Sequence, residues 1–165
     1  MTAYIIDTNV CITANNKAGD KVDNKCVLKC IEKLRECVDF FSNNKGSVFI
    51  DSGMEIIDEY KNHLSFSGQP GTGDMFFKEL YNNIGKPACQ KVNITKDNQW
   101  GYAEFPHCQE LNSFDRSDRK FVAVSVAADK EPIILNATDS DWKNFGDELK
   151  KQGIKIEQLC PNCLK

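Results

Sequence analysis

The chain has little histidine, little proline and no long apolar run. Of its 165 residues, two are histidine and five are proline. His63 stands alone and His107 adjoins only Cys108. Neither builds a Ser/His or Cys/His catalytic pair, which sets aside the common nucleophilic hydrolases. No apolar stretch approaches the roughly 20 residues of a membrane span, so no membrane association is expected. The N-terminus carries no basic region followed by an apolar core, so no secretion signal is read and a cytoplasmic protein is expected. An excess of positive charge is missing too: 24 acidic residues face 21 basic ones, for a formal net charge of −3. A global basic field would have pointed directly to nucleic acid. Its absence leaves room for local basic residues beside an acidic site.

What is present is an ordinary globular composition, 41% hydrophobic and 27% charged, in a chain long enough to bury one core. Short apolar runs alternate with helical patterns. Residues 3–6 and 47–50 read as buried strands, 91–94 as an alternating strand, and 133–137 and 154–156 as the last two. Helices are expected over 24–42, 54–64, 75–84, 118–128 (capped by Ser117) and 141–152. This βα order predicts an α/β fold with parallel strands in a single domain over residues 1–158. A short tail, 159–165, would hang free with its Cys-x-x-Cys. Residues 95–113, with Trp100, Tyr102 and Phe105 among polar neighbours, yield no assignment.

The strands end at aspartates. Tyr4-Ile5-Ile6 stops at Asp7, Val48-Phe49-Ile50 at Asp51, and Ile133-Ile134-Leu135 runs into Asn136-Ala137-Thr138-Asp139-Ser140-Asp141. In open α/β sheets ligands bind beyond the carboxyl ends of the strands. Carboxylates gathered there repel one another unless a cation joins them, and hard divalent ions take oxygen ligands. Asp7 reads as a metal ligand oriented by Thr8 and Asn9, or as an ordinary helix cap. Asp139 reads as the better ligand and Asp141 as the better cap. Asp118 falls in the first turn of a helix, where the dipole alone favours an anion. Glu55 and Glu59 share one helix face and read most simply as solvated.

The remaining motifs are weaker. The glycine-rich stretch Ser67–Asp74 lacks the Gly-Lys-Ser/Thr ending of a phosphate loop and follows no strand, so it reads as a turn-rich connection. Eight cysteines are expected to be mostly reduced. Cys30 and Cys37 fall on a helical stripe and read as core. Cys26 and Cys30 at i, i+4 could hold a metal, with nothing nearby in sequence to complete a site. Cys160-Pro-Asn-Cys163 has zinc-knuckle spacing but supplies only two of four ligands, and His107-Cys108 is wrongly spaced to add the others.

Taken together, the strings YIIDTNV, EIIDEY, FDRSDRKFVAVSVAA and ILNATDSDW resemble those of the PIN-domain nucleases over residues 1 to about 158. The resemblance implies a three-layer α/β/α sandwich around a five-stranded parallel sheet. It also implies that Asp7, Glu59, Asp118 and Asp139 are catalytic metal ligands, with Asp141 accessory and Thr8, Asn9 and Thr138 in support. Such a site would hold one or two Mg²⁺ or Mn²⁺ ions and hydrolyse phosphodiesters, most simply in single-stranded RNA. Arg116, Arg119 and Lys120 are the expected phosphate contacts, followed by Lys61 and Lys17, with Trp100 or Tyr102 available to stack on bases. A toxin or antiviral effector, an inhibitory or activating protein partner and a homodimer are the contexts implied. A DNA nuclease and an inactive binding scaffold are the alternatives.

Overall fold

The computed structural model describes residues 1–19 and 22–164. In chain order the elements are β1 (Thr2–Ile6), α1 (Thr8–Ala14), α2 (Asn24–Asn43), β2 (Gly46–Asp51), α3 (Glu55–Lys61), α4 (Thr72–Asn82), β3 (Cys89–Val92), β4 (Lys96–Asp97), β5 (Gly101–Tyr102), α5 (Arg119–Ala127), β6 (Ile133–Asn136), α6 (Asp141–Asn144), α7 (Gly146–Lys151) and β7 (Lys155–Gln158). Five strands form one all-parallel sheet in the order β3-β2-β1-β6-β7. Helices flank it on both faces, in the expected three-layer arrangement.

Sequence explains the layering. β2 is buried at every position and β1 at all but its first, as strands covered on both faces must be. Alternation sends Tyr4 toward α2, where its ring stacks on Phe40 at 6.2 Å. Ile5 therefore faces the other layer, where α5 packs across β1, β2 and β6. α1, α2 and α4 pack on one another as the opposing layer. No helix among the described residues is long and apolar enough to cross a membrane.

The chain leaves β1 in one direction for β2 and β3, then returns to β1's other edge for β6 and β7. The order reverses between β1 and β6, and a crevice opens there at their carboxyl ends. Asp7 and the Asn136–Asp141 turn both lie at that point.

Several elements depart from the sequence expectation. α1 was not anticipated: Thr8, Val10, Cys11, Thr13 and Ala14 are all buried, so the helix shows no polar face to set a 3.6-residue period. α4 begins at Thr72, inside the glycine-rich stretch. Side chains at Gly71 and Gly73 would collide with Asn15 and the Cys11 carbonyl, so these glycines let the ends of α1 and α4 approach. The Asp74 carboxylate accepts from Gly71 N at 3.0 Å and Ser65 N at 2.8 Å, closing the turn on itself. β3 lies two residues earlier than expected and β7 one residue later at its start. The 141–152 helix is two pieces, interrupted at Phe145. Ser117 does not cap α5: Asp118 precedes the helix without a side-chain cap bond, and Asp115 caps the short turn 116–118 before it by accepting from Ser117 N at 3.0 Å.

The unassigned stretch 95–113 holds the β4–β5 hairpin and a packed loop. Phe105 and Phe114 stack at 5.9 Å, and Phe114 meets Trp142 and Phe145 edge-on. The closing segment does not hang free, which corrects that expectation: Leu159, Cys160 and Leu164 are buried. Cys160 forms a disulfide with Cys26, the one pair that departs from an expectation of mostly reduced cysteines. The other six cysteines are free.

Candidate carboxylate site at the β1–β6 crevice

Asp7, Asp118 and Asp139 each offer a carboxylate oxygen, and these oxygens all lie within 4.8 Å of one another. Their side chains arrive from three elements: the end of β1, the turn that opens α5, and the turn after β6. A second group, Asp115, Asp118 and Asp141, meets the same 4.8 Å limit and shares Asp118 with the first. All five acids sit at or just before a helical turn, but their convergence depends on the strand order, since residues 7, 118 and 139 are remote in sequence.

A polar frame holds the crevice. Asp7 caps α1 by accepting from Asn9 N at 3.0 Å, and its other oxygen accepts from Trp142 Nε1 at 2.6 Å. The Asn9 amide links the two strand ends: it donates to Asn136 Oδ1 at 2.9 Å and accepts from Ala137 N at 2.8 Å and Thr138 N at 3.2 Å. Asn136 donates to the Asp139 carbonyl at 2.9 Å and to Gln158 Oε1 at 2.6 Å. Thus the Asn9 side chain braces the turn after β6, while Thr138 enters it through its backbone N–H. Asn136, Trp142 and Gln158 were not identified from sequence. An Asn at the end of an apolar strand, fully buried here, was the one visible signal.

Asp139 and Asp141 exchange the anticipated capping role. Asp139 Oδ1 accepts from Asp141 N at 2.9 Å and so starts α6 itself. Asp141 lies in the first turn of α6, partly buried.

Electrostatics in the crevice oppose three free charges. Burial pushes the Asp7 carboxyl up to about 7; the Asn9 and Trp142 donors oppose the shift, and Glu59 and Asp139 reinforce it. Asp118 is pushed up to about 9, first by burial, then by the Asp7 charge and by a hydrogen bond shared with Asp139. Asp141 is also raised, by burial and by Asp139 and Asp115. One buried oxygen of Asp118, Oδ2, has no hydrogen-bond partner among the described residues. A buried carboxylate oxygen left unpaired costs on the order of 1–3 kcal/mol, and the oxygen-only donor set suits a hard divalent cation.

Glu59 reaches the edge of this group without joining it. It accepts from the Thr8 hydroxyl and from Lys120 Nζ, the latter at 2.8 Å. Tyr60 on the same helix donates its hydroxyl to the Ile6 carbonyl, which seats α3 against the end of β1. The Glu59 carboxylate is therefore an ion-paired neighbour of Asp7, and not a solvated group.

The three expected phosphate contacts separate. Arg119 is 1% exposed, and its guanidinium donates to the carbonyls of Trp100, Leu111, Asn112 and Phe114 while lying 4.6 Å from the Phe105 ring centre. It clamps the 100–114 loop and has no face for a phosphate, which corrects that expectation. Lys120 is buried and committed to Glu59 and the Ser117 carbonyl. Arg116 is exposed and donates to the carbonyls of Asn98 and Gln99. One face of Trp100 is covered by His107, stacked at 5.1 Å.

Comparison of the chain with family models, with curated proteins and with solved structures returned no match.

Proposed function

We propose that this protein is a metal-dependent endoribonuclease of the PIN-like type, acting on single-stranded RNA. The observation that carries the reading is the meeting of Asp7, Asp118 and Asp139 within 4.8 Å at the reversal point of a parallel sheet. Clustering buried like charges destabilises a fold unless a cation offsets them. The unpaired Asp118 Oδ2 fits such a partner.

Asp7, Asp118 and Asp139 would hold Mg²⁺ or Mn²⁺, with Asp141 and Asp115 beside them. When bound, the ion supplies a water of lowered pKa and offsets charge on the reacting phosphate. The chain's own part is to position and to exchange protons. Asp7 and Asp118, raised to about 7 and 9 in the bare site, would have to release their protons to serve as ligands. Trp142 and Asn9 N–H fix the Asp7 carboxylate plane. The Asn9–Asn136 pair sets the spacing of the two strand ends. Lys120, held in the acidic rim by Glu59, limits the net negative charge that an incoming phosphodiester meets. Of Arg116, Arg119 and Lys120, it is exposed Arg116, in the turn leading to Asp118, that would grip the backbone. No side chain is required as a nucleophile.

The test is incubation of wild type and Asp7→Asn with labelled single-stranded RNA and DNA in Mn²⁺, Mg²⁺ or chelator. Metal-dependent RNA cleavage, lost in the variant, is expected. Preferential cleavage of DNA would move the substrate class, and full activity of Asp7→Asn on every nucleic acid would falsify the mechanism. Absence of both cleavage and metal-induced thermal stabilisation would leave a binding scaffold.

A further inference from the structure

A second set of metal-ligating side chains lies on the α2 side of the molecule, apart from the carboxylates. Cys26 and Cys30 stand one turn apart at the start of α2, on the same face. The sulfur atoms of Cys26, Cys30 and Cys160 lie within 4.8 Å of one another, and all three residues are buried. Cys160 and Cys163 flank a tight turn in which Cys163 N donates to the Cys160 carbonyl at 3.0 Å. Cys163 lines the same cleft as Cys26 and Cys160, with its sulfur outside that 4.8 Å group. Two pairs that looked incomplete in the sequence, Cys-x₃-Cys and Cys-x₂-Cys, thus converge across 134 residues. We propose that in the reduced protein Cys26, Cys30, Cys160 and Cys163 form a tetrathiolate site for one zinc ion, which fastens the C-terminal segment to α2.

The chemistry favours zinc over a hard cation. Four sulfur donors at these spacings are the signature of closed structural zinc sites. Such a site carries a net charge of −2, and two lysines, Lys25 and Lys29, line the cleft against one acid, Asp23. The cleft of about 220 Å³ gives an ion a path from solvent. A disulfide between Cys26 and Cys160 alone requires neither Cys30 nor Cys163, so the second member of each pair is what the disulfide does not explain. The disulfide and the metal site exclude each other because they use the same sulfurs. A dithiol reductant supplies the two electrons and two protons that return Cys26 and Cys160 to thiols. Binding one Zn²⁺ then releases four protons, one from each thiol.

The site also touches the carboxylate crevice through the backbone. Leu159 N donates to the Asn136 carbonyl at 2.8 Å, and Gln158 accepts from the Asn136 amide. Fastening residue 160 holds these neighbours against the turn that carries Asp139.

The full chain, reduced with a dithiol and then freed of both the dithiol and oxidant, should be titrated with Co²⁺ as a spectroscopic stand-in for zinc. Expected is one ion per chain, with strong thiolate-to-cobalt charge transfer and the visible bands of a tetrahedral centre, both displaced by one equivalent of Zn²⁺. The decisive variant is Cys30→Ser with Cys163→Ser, which keeps the Cys26–Cys160 disulfide and so can be shown to fold when oxidised. Losing second-shell partners alone weakens metal sites by about 10–100-fold, so loss of two ligands should exceed about 100-fold. Cys108→Ser should change nothing. Reduced wild type without the charge-transfer band, or a double variant that retains it, would overturn the proposal. Cobalt held only by the carboxylates lacks that band, so the readout is independent of nuclease activity.

Discussion

Asp7 and Asp51 end adjacent strands of the same sheet, each after a run of buried apolar residues, and each starts a helix. Yet they occupy opposite electrostatic situations. Asp51 is fully buried and accepts from Glu55 N at 2.8 Å and Ile56 N at 2.9 Å, both of them amides at the start of α3. Asp7 also has both oxygens bonded, but it faces Asp118 and Asp139. What separates them is the neighbouring strand. Asp51 lies beside the end of β3, which brings Val92. Asp7 lies beside β6, which brings the Asn136–Asp141 turn. The same local motif is a helix cap at one strand end and part of a candidate site at the next.

Substitution should split the pair by the property it damages. On the proposed reading, Asp7→Asn or Asp118→Asn removes a ligand whose ion supplies several kcal/mol at the transition state. That corresponds to a loss of about a thousand-fold in cleavage rate, with the fold intact by circular dichroism. Asp51→Ala should leave the rate per folded molecule within about two-fold. Single-turnover cleavage on matched folded fractions measures both. A thousand-fold loss in Asp51→Ala would erase the distinction.

Stability should respond in the opposite sense. Asp51→Ala removes the N-terminal cap of α3 and strands buried amides, at a cost of about 2 kcal/mol. Asp118→Asn removes a buried acid from a group of like charges while keeping a hydrogen-bonding amide, and should raise metal-free stability by about 1 kcal/mol at neutral pH. Urea denaturation in chelator reads both shifts. Destabilisation by Asp118→Asn would show that its carboxylate is satisfied without a cation.

The contrast extends to pH. Asp7 and Asp118 have folded-state pKa values raised to about 7 and 9, while unfolded aspartate titrates near about 4. Between these limits the folded chain holds protons that the unfolded chain has released. The stability attached to these groups is therefore complete below about pH 4 and is lost as pH rises through about 7 and then 9. Melting temperature in chelator should fall over that window, and millimolar Mg²⁺ or Mn²⁺ should flatten the fall. Asp118→Asn should reduce that slope.

How far this was readable from sequence follows from the range of each cause. The strands, the α/β class and Asp7 and Asp139 were visible because a buried strand and the polar residues that follow it are local patterns, whereas Asp118 opens a helix and stood out only through the resemblance of the combined strings. α1 was invisible because burial on nearly all sides removes its period. The Cys26–Cys160 proximity and the donors Trp142 and Asn136 depend on which strands are neighbours, and periodicity carries no register. Arg119 shows the converse failure. Position beside Asp118 suggested a phosphate contact, but the loop carbonyls from Trp100 to Phe114, which nothing in the 95–113 stretch foretold, enclose its guanidinium.

The smallest expected effect probes the donor that only Asp7 has. Asp51 is held by backbone amides alone, whereas Asp7 receives one bond from a side chain, Trp142 Nε1 at 2.6 Å. Trp142→Phe keeps an aromatic ring between Phe114 and Phe121, its edge-on neighbours at 5.2 and 6.5 Å, and removes that N–H. The bond favours the charged carboxylate, so its loss should raise the Asp7 pKa further above about 7. A hydrogen bond to a charged group contributes about 1.5–3 kcal/mol, part of it replaced by water, so the shift should be about one unit. Carbon-detected titration of the Asp7 carboxyl in chelator measures it directly, and the acidic limb of the cleavage profile should move upward with it. An unmoved Asp7 in a folded Trp142→Phe protein would mean that burial and its acidic neighbours alone set its charge, leaving the indole as packing.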